Sequence, residues 1–395
     1  MIWYPYEQMK TMKPAIKIER AEGVYLYTED KKLIDSISSW WSVIHGYNHP
    51  VLNAAIHEQV DHFSHVMLGG LTHEPVMRLS KKLEEWLPGD LNYCFFSDSG
   101  SVGVEVALKM ALQFNTNRGS KRRTVLALEH AYHGDTFKAM EVGDDEDYHF
   151  AFGEKNGVIH IPTTLEALED VFVSHGDELT CFIVEPLLQG AGGMRMYGLD
   201  FLVRARELCD QHDVLLFFDE VATGFGRTGY RFVADMVCPD ILILGKALTG
   251  GYIGHAVTVA NQKVYDGFYS DDDTHALMHG PTFMGNALAC SVALAAINLF
   301  ENENYMEKIE KIASITRREM EGFTDPRIRE VRMMGGCVCI EVKDAHDLEG
   351  YQEFALKRGV FARPFLKYLY ACVPYIIEEE ELVRVLDTMK AWFER

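Results

Sequence analysis

Between residues 93 and 260 short unbroken apolar runs recur, each ending in glycine, aspartate or small polar residues, with helical periodicity between some of them. The runs fall at Tyr93–Ser97, Thr124–Leu128, 181–185, 214–218, Ile241–Leu244 and Ala256–Ala260. Apolar runs without alternation, bounded by turn residues, predict strands buried on both faces. Over Leu199–His212 the period changes: Phe201, Leu202, Ala205, Leu208 and Cys209 make one stripe, and Arg204, Glu207 and Asp210 take the other face. That spacing predicts an amphipathic helix. A second helix is predicted after Gly100, with Val104, Leu108, Ala111 and Leu112 inward and Glu105 paired with Lys109 at i, i+4. Leu382, Val385, Leu386, Met389 and Phe393 predict a third that closes the chain. Short buried strands together with helices predict an α/β fold around an open sheet.

Composition narrows the function classes. The 395 residues leave room for two or three domains. With 48% hydrophobic and 25% charged residues the chain is of ordinary globular composition, which excludes a disordered or fibrous protein. Lys and Arg total 38 against 59 Asp and Glu, a net charge of −21 that repels a phosphate backbone and an anionic membrane. Neither nucleic acid nor a membrane is expected as a partner, although a locally positive pocket can still take a small anion. Eight dispersed cysteines without a C-x-x-C pair read as reduced thiols. There is no basic-then-apolar leader and no membrane-length apolar run, so the expected location is the cytoplasm.

Several motifs do not survive their context. Gly224-Phe-Gly226-Arg-Thr-Gly229 has dinucleotide-loop spacing, with Asp235 or Asp240 as a ribose acid, but no helical pattern follows it. Gly245-Lys246 lacks the rest of a P-loop. His57-Glu58 and His62 are one residue out of register for two zinc ligands on one helix face, and His65 does not repair this. Asp271, Asp272 and Asp273 read as a solvated acidic loop, so no metal is expected.

Three strand ends carry better-matched chemistry. The first run leads into Ser99-Gly100-Ser101 at the start of a helix, where free amides, hydroxyls and the helix dipole suit a phosphate, or a plain N-cap. The run before Asp219-Glu220 brings carboxylates to a second strand end, and the run before Gly245-Lys246 brings a lysine to a third. A buried Asp219–Lys246 salt bridge would account for two of the three groups at a high desolvation cost. Pyridoxal 5'-phosphate (PLP) accounts for all three: an aldehyde for the lysine, a pyridine nitrogen for the acid, and a phosphate for the amides.

The strings SDSGSVGVEVALKMA, AYHGDTF, VEPLLQGAGG, FDEVATGFGRTG, PDILILGKALTGG and HGPTFMGN, in this order over 97–286, resemble the blocks of the class III PLP-dependent aminotransferases of fold type I. The resemblance implies a large domain, 38–302, with a mostly parallel central sheet. It also implies a smaller α+β domain made of both chain ends, 1–37 and 303–395. Lys246 is then the Schiff-base lysine and proton carrier, and Asp219 the partner of the pyridine nitrogen. Ser99, Gly100 and Ser101 hold the phosphate, with Pro281 and Thr282 reaching it from the neighbouring subunit of a homodimer. Tyr132 and Val221 would flank the ring.

Ile-Trp-Tyr-Pro-Tyr6, Ser-Ser-Trp40-Trp41 and Arg363-Pro-Phe resemble the branch that aminates 8-amino-7-oxononanoate in biotin synthesis. Gly280-Pro-Thr282-Phe-Met resembles the members that use S-adenosylmethionine as donor in a ping-pong reaction. Arg363 would take a substrate carboxylate, and Tyr6, Trp40, Tyr132, Arg227, Lys246 and Gly280 the rest of the substrate. Lysine as donor, or an ω-amino acid such as ornithine or 4-aminobutyrate as substrate, are the alternatives. Leu366, the run Ala371-Cys-Val-Pro and a short 143–157 segment depart from the family pattern.

Overall fold

In the computed structural model the structure describes residues 2–144, 149–152 and 155–395. Part of the short 143–157 segment, residues 145–148 and 153–154, therefore lies outside the described residues. Seven strands form the central sheet in the order Tyr93–Ser97, Ala256–Ala260, Ile241–Leu244, Leu215–Asp219, Leu179–Val184, Thr124–Leu128, Val158–Ile161. Ala256–Ala260 runs antiparallel to both neighbours, and the remaining pairs are parallel. Fold class and mostly parallel order agree with expectation.

The strands are mostly apolar because successive side chains enter two different cores. Leu215 and Phe217 pack with Val104, Leu108 and Phe114 of the helix Gly100–Asn117. Leu216 and Phe218 face the opposite layer, with Phe201, Leu202 and Leu208 of the helix Leu199–His212. The apolar run read at 214–218 forms a strand one residue later, so Asp219 is the last residue of the strand itself. No apolar run announces the edge strand Val158–Ile161, whose four residues are mostly half-buried and include His160. Glu105 and Lys109 do not pair as predicted: Glu105 accepts hydrogen bonds from the backbone N–H of Lys138 and Ala139, and Lys109 Nζ lies 2.8 Å from His279 Nδ1.

The chain ends meet. Arg20–Glu22, Tyr25–Tyr27 and Lys32–Asp35 form an antiparallel ribbon that Val360–Phe361 extends in parallel. A three-stranded antiparallel sheet of Ile328–Met334, Cys337–Val342 and Tyr368–Cys372 lies beside it in sequence. The predicted final helix spans Glu379–Phe393, with Leu382, Val385, Leu386, Met389 and Phe393 buried. Here the expectation of eight reduced thiols is corrected. Cys337 stands directly opposite Cys372 on adjacent strands, with Cα atoms 4.7 Å apart, and the two form a disulfide. Among the described residues no helix is long and apolar enough to cross a membrane.

Candidate active site

A cavity of about 980 Å³ opens at the ends of the central strands. Of the sequence-predicted residues, Tyr6, Trp40, Ser99, Gly100, Ser101, Tyr132, Asp219, Val221, Lys246 and Arg363 line it. Its inner end is built by regular elements. The strand Tyr93–Ser97 delivers Ser99, whose hydroxyl accepts the Val102 N–H and caps the helix Gly100–Asn117. The amides of Gly100 and Ser101, one turn before the first intrahelical donor, have no partner among the described residues. They stand at the positive end of an 18-residue helix, where an anion is favoured.

Asp219 ends one strand and Lys246 follows the neighbouring parallel strand, with Asp219 opposite Ile243. They do not form the buried ion pair that would have been the plain alternative. Asp219 Oδ2 instead lies 2.8 Å from His133 Nδ1, and Oδ1 accepts the Val221 N–H at 3.1 Å. Its neighbour Glu220 turns away by the strand's alternation and accepts the N–H groups of Val233 and Ala234; burial pushes its carboxyl up to about 8. Lys246 begins a short 3₁₀ turn, Lys246–Thr249, with φ 42°. A non-glycine residue in this left-handed region stores backbone strain of the kind found at functional sites. Its Nζ makes no hydrogen bond or ion pair among the described residues and sits 5.9 Å from the centre of the Trp41 ring. Burial disfavours the ammonium and lowers the Lys246 pKa, against the opposing pull of Asp219 and Glu185.

The mouth is built differently. Ser38, Ser39, Trp40 and Trp41 all have positive φ, from 45° to 76°. The buried Asp35 carboxylate holds this turn, accepting from the N–H of Ile37 and Ser39 and from Tyr47 OH. Arg227, expected at the substrate, is instead fully buried behind this segment. Its guanidinium donates to the carbonyls of Trp41 and Val373, joining two chain segments 2.9 and 2.8 Å away, and it does not line the cavity. Tyr6 packs edge-on against Trp40 at 6.1 Å and donates its hydroxyl to Asp135 Oδ2 at 2.7 Å. Tyr132 OH and His149 Nε2 meet the other oxygen, at 2.9 and 3.1 Å. Burial pushes the Asp135 carboxyl up, but the hydrogen bonds from Tyr6, His149 and Tyr132 outweigh it and hold the pKa below the usual value. Arg363 lies over Trp40 and pairs with Glu7. Leu366, flagged as a departure, also lines the cavity.

Gly280, Pro281 and Thr282 are not among this cavity's lining residues; Gly280 and Thr282 are exposed, and the Thr282 carbonyl meets His65 Nε2. His133, Asp135, Glu185 and Glu7 also line the cavity, and no role for them is evident from the sequence. The first two lie in the string AYHGD, beside Tyr132, and that adjacency was the available signal.

The residues present fit the expected cofactor. Unpaired amides at a helix N-terminus suit its phosphate, a buried carboxylate with a free approach suits its ring nitrogen, and an unpartnered buried amine suits its aldehyde. The family described as Aminotransferase class-III matches residues 6–393. An adenosylmethionine-8-amino-7-oxononanoate aminotransferase of Buchnera aphidicola subsp. Schizaphis graminum is 37% identical, over 98% of this chain and 94% of that protein. The crystal structure of the like-named enzyme from Methanocaldococcus jannaschii superposes with a TM-score of 0.93 at 33% identity, over 100% of this chain and 96% of the other. An amine transaminase from an uncultivated Pseudomonas species, in its PLP-bound form, gives a TM-score of 0.94 at 27% identity, over 100% and 98%.

Proposed function

This chain belongs to the class-III aminotransferases, and from that premise we propose that it aminates 8-amino-7-oxononanoate to 7,8-diaminononanoate, with S-adenosylmethionine as the amino donor. The cofactor is pyridoxal 5'-phosphate. The observation that carries the reading is the convergence in one cavity of Lys246, Asp219 and the unpaired amides of Gly100 and Ser101. When bound, PLP supplies a carbonyl that condenses with amines and a ring that accepts an electron pair.

The protein's own residues do the rest. Lys246 Nζ, kept toward the neutral amine by burial, is available as nucleophile and then as the base and acid that moves a proton to and from the substrate carbon. Asp219, fixed on both oxygens by His133 and Val221, offers a negative charge to a protonated ring nitrogen. Glu185 accepts the N–H groups of Tyr132 and Gly190, which fixes the segment bearing Tyr132 against the cavity. Burial pushes its own carboxyl up to about 7. Tyr132 and Val221, both lining the cavity, would flank the ring, and Arg363 would take the acceptor's carboxylate. Two dissimilar substrates use this one cavity in turn.

The proposal includes a cytoplasmic homodimer in which Pro281 and Thr282 complete the phosphate end of the partner's site. The exposure of Thr282, and the absence of 280–282 from the lining of their own cavity, support this. It also divides the chain into a large domain, 38–302, and a small one, 1–37 with 303–395. The pairing of Lys32–Asp35 with Val360–Phe361 supports that division. The test is product formation: purified enzyme with 8-amino-7-oxononanoate and S-adenosylmethionine yields 7,8-diaminononanoate. Turnover of lysine, or of ornithine or 4-aminobutyrate in place of these substrates, selects the corresponding alternative.

A further inference from the structure

The N-terminal segment contributes Pro5, Tyr6, Glu7 and Lys13 to the cavity mouth and is tied down by polar contacts rather than by a strand or helix. Tyr6 donates to Asp135, and Lys13 pairs with Glu353. The third tie differs in kind, because it uses the group read as the carboxylate anchor. Arg363 Nη2 lies 3.0 Å from Glu7 Oε1 and 3.5 Å from the Pro5 carbonyl, while the guanidinium stacks 5.2 Å from the centre of the Trp40 ring. The Glu7 and Arg363 side chains are 38% and 28% exposed, so both are open to exchange from the cavity side.

We propose that Glu7 is a specificity-determining residue: an internal carboxylate that occupies Arg363 until a substrate carboxylate displaces it. The inference rests on Arg363 as the carboxylate anchor of the proposed function. With the pair closed, Arg363 is neutralised and the mouth admits the cationic sulfonium end of an adenosyl donor without a bare guanidinium facing it. With the pair open, the fork is free for two carboxylate oxygens. Specificity is a difference between affinities, and this pair sets the difference by charge, since every carboxylate ligand must compete with Glu7 and a neutral ligand need not.

The experiment measures binding without turnover. Nonanoate, which has the chain length and carboxylate of the acceptor but no amine or ketone, is titrated calorimetrically into PLP-loaded wild type, Glu7→Gln and Arg363→Ala, with nonanamide as the uncharged control. Glu7→Gln binds nonanoate about threefold tighter, the size expected for release of a part-exposed ion pair, and binds nonanamide as wild type does. Arg363→Ala binds nonanoate about tenfold more weakly. If Glu7→Gln leaves nonanoate affinity unchanged or weaker, or tightens both ligands equally, Glu7 is no competitor and the inference fails. If Arg363→Ala also leaves nonanoate unaffected, the anchor itself is wrong and the proposed role of Arg363 falls with it.

Discussion

The inner end and the mouth of the cavity are made by opposite means. At the inner end Asp219 closes a strand, and Ser99 and Lys246 each follow a strand of the same sheet, so ladder hydrogen bonds and two apolar cores fix their positions before any side chain interacts. At the mouth Tyr6, Trp40, Asp135, His149 and Arg363 come from segments without ladders, held by Asp35, by Arg227 and by contacts with one another. Four consecutive left-handed residues, Ser38 to Trp41, cost about 1–2 kcal/mol each. The buried bonds to Asp35 and from Arg227 offset that cost. Reaction chemistry that must not vary is thus placed on the rigid scaffold, and substrate recognition on adjustable segments.

Substitutions sharpen the contrast. Lys246→Ala removes the only amine in the inner end's proposed constellation and should lower kcat about 10³-fold or more, read from steady-state rates. Comparable turnover by this variant would remove the inner end from the chemistry. Asp219→Asn keeps the shape and loses the charge. It should retain bound cofactor by absorbance while kcat falls about 100-fold, the upper range for a charged hydrogen bond; wild-type rates would refute the role of Asp219 toward the ring. At the mouth, Arg363→Ala should raise KM for 8-amino-7-oxononanoate about tenfold with a smaller change in kcat. A loss confined to kcat would show the two regions to be less separate than their construction implies.

The smallest effect concerns His45, four residues beyond the left-handed turn. His45 bonds Tyr305 OH at 2.8 Å, and burial lowers its pKa to about 3, so it is neutral in the fold. The unfolded chain takes up a proton below about pH 6.5. Stability from this group is therefore complete above 6.5 and declines as pH falls toward 3. Between pH 6.5 and 5.5 wild type should lose about 1 kcal/mol more than His45→Gln, measured by chemical denaturation at each pH. Parallel curves would mean that His45 is not held neutral.

The same contrast explains what could be read beforehand. Tyr93–Ser97, Thr124–Leu128, Ile241–Leu244 and Ala256–Ala260 were legible to the residue, because polar residues or glycine flank each run on both sides (Asn92 and Asp98, Arg123 and Glu129, Asp240 and Gly245, His255 and Asn261), whereas the fully buried Leu179–Val184 and Leu215–Asp219 are displaced by one or two residues from the runs that announce them. Asp219 and Lys246 were visible as interruptions of such runs. Arg227 was misplaced, since nothing local distinguishes a guanidinium that binds substrate from one that closes carbonyls of Trp41 and Val373, 186 and 146 residues away. The Cys337–Cys372 pair depends on the register of strands 35 residues apart, which cysteine spacing alone does not encode. Glu7 carries no motif at all; its role comes from where Arg363 sits after folding.

The central claim is that Lys246, Asp219 and the helix N-terminus at Gly100 hold PLP for amino transfer from S-adenosylmethionine. The visible absorption spectrum of the purified, PLP-loaded protein, recorded before and after adding S-adenosylmethionine alone, tests it most directly. The account predicts a yellow lysine-bound band that bleaches to the amine form of the cofactor on addition. A protein that shows no such band after PLP is supplied would contradict the claim, and a band indifferent to S-adenosylmethionine would contradict the choice of donor.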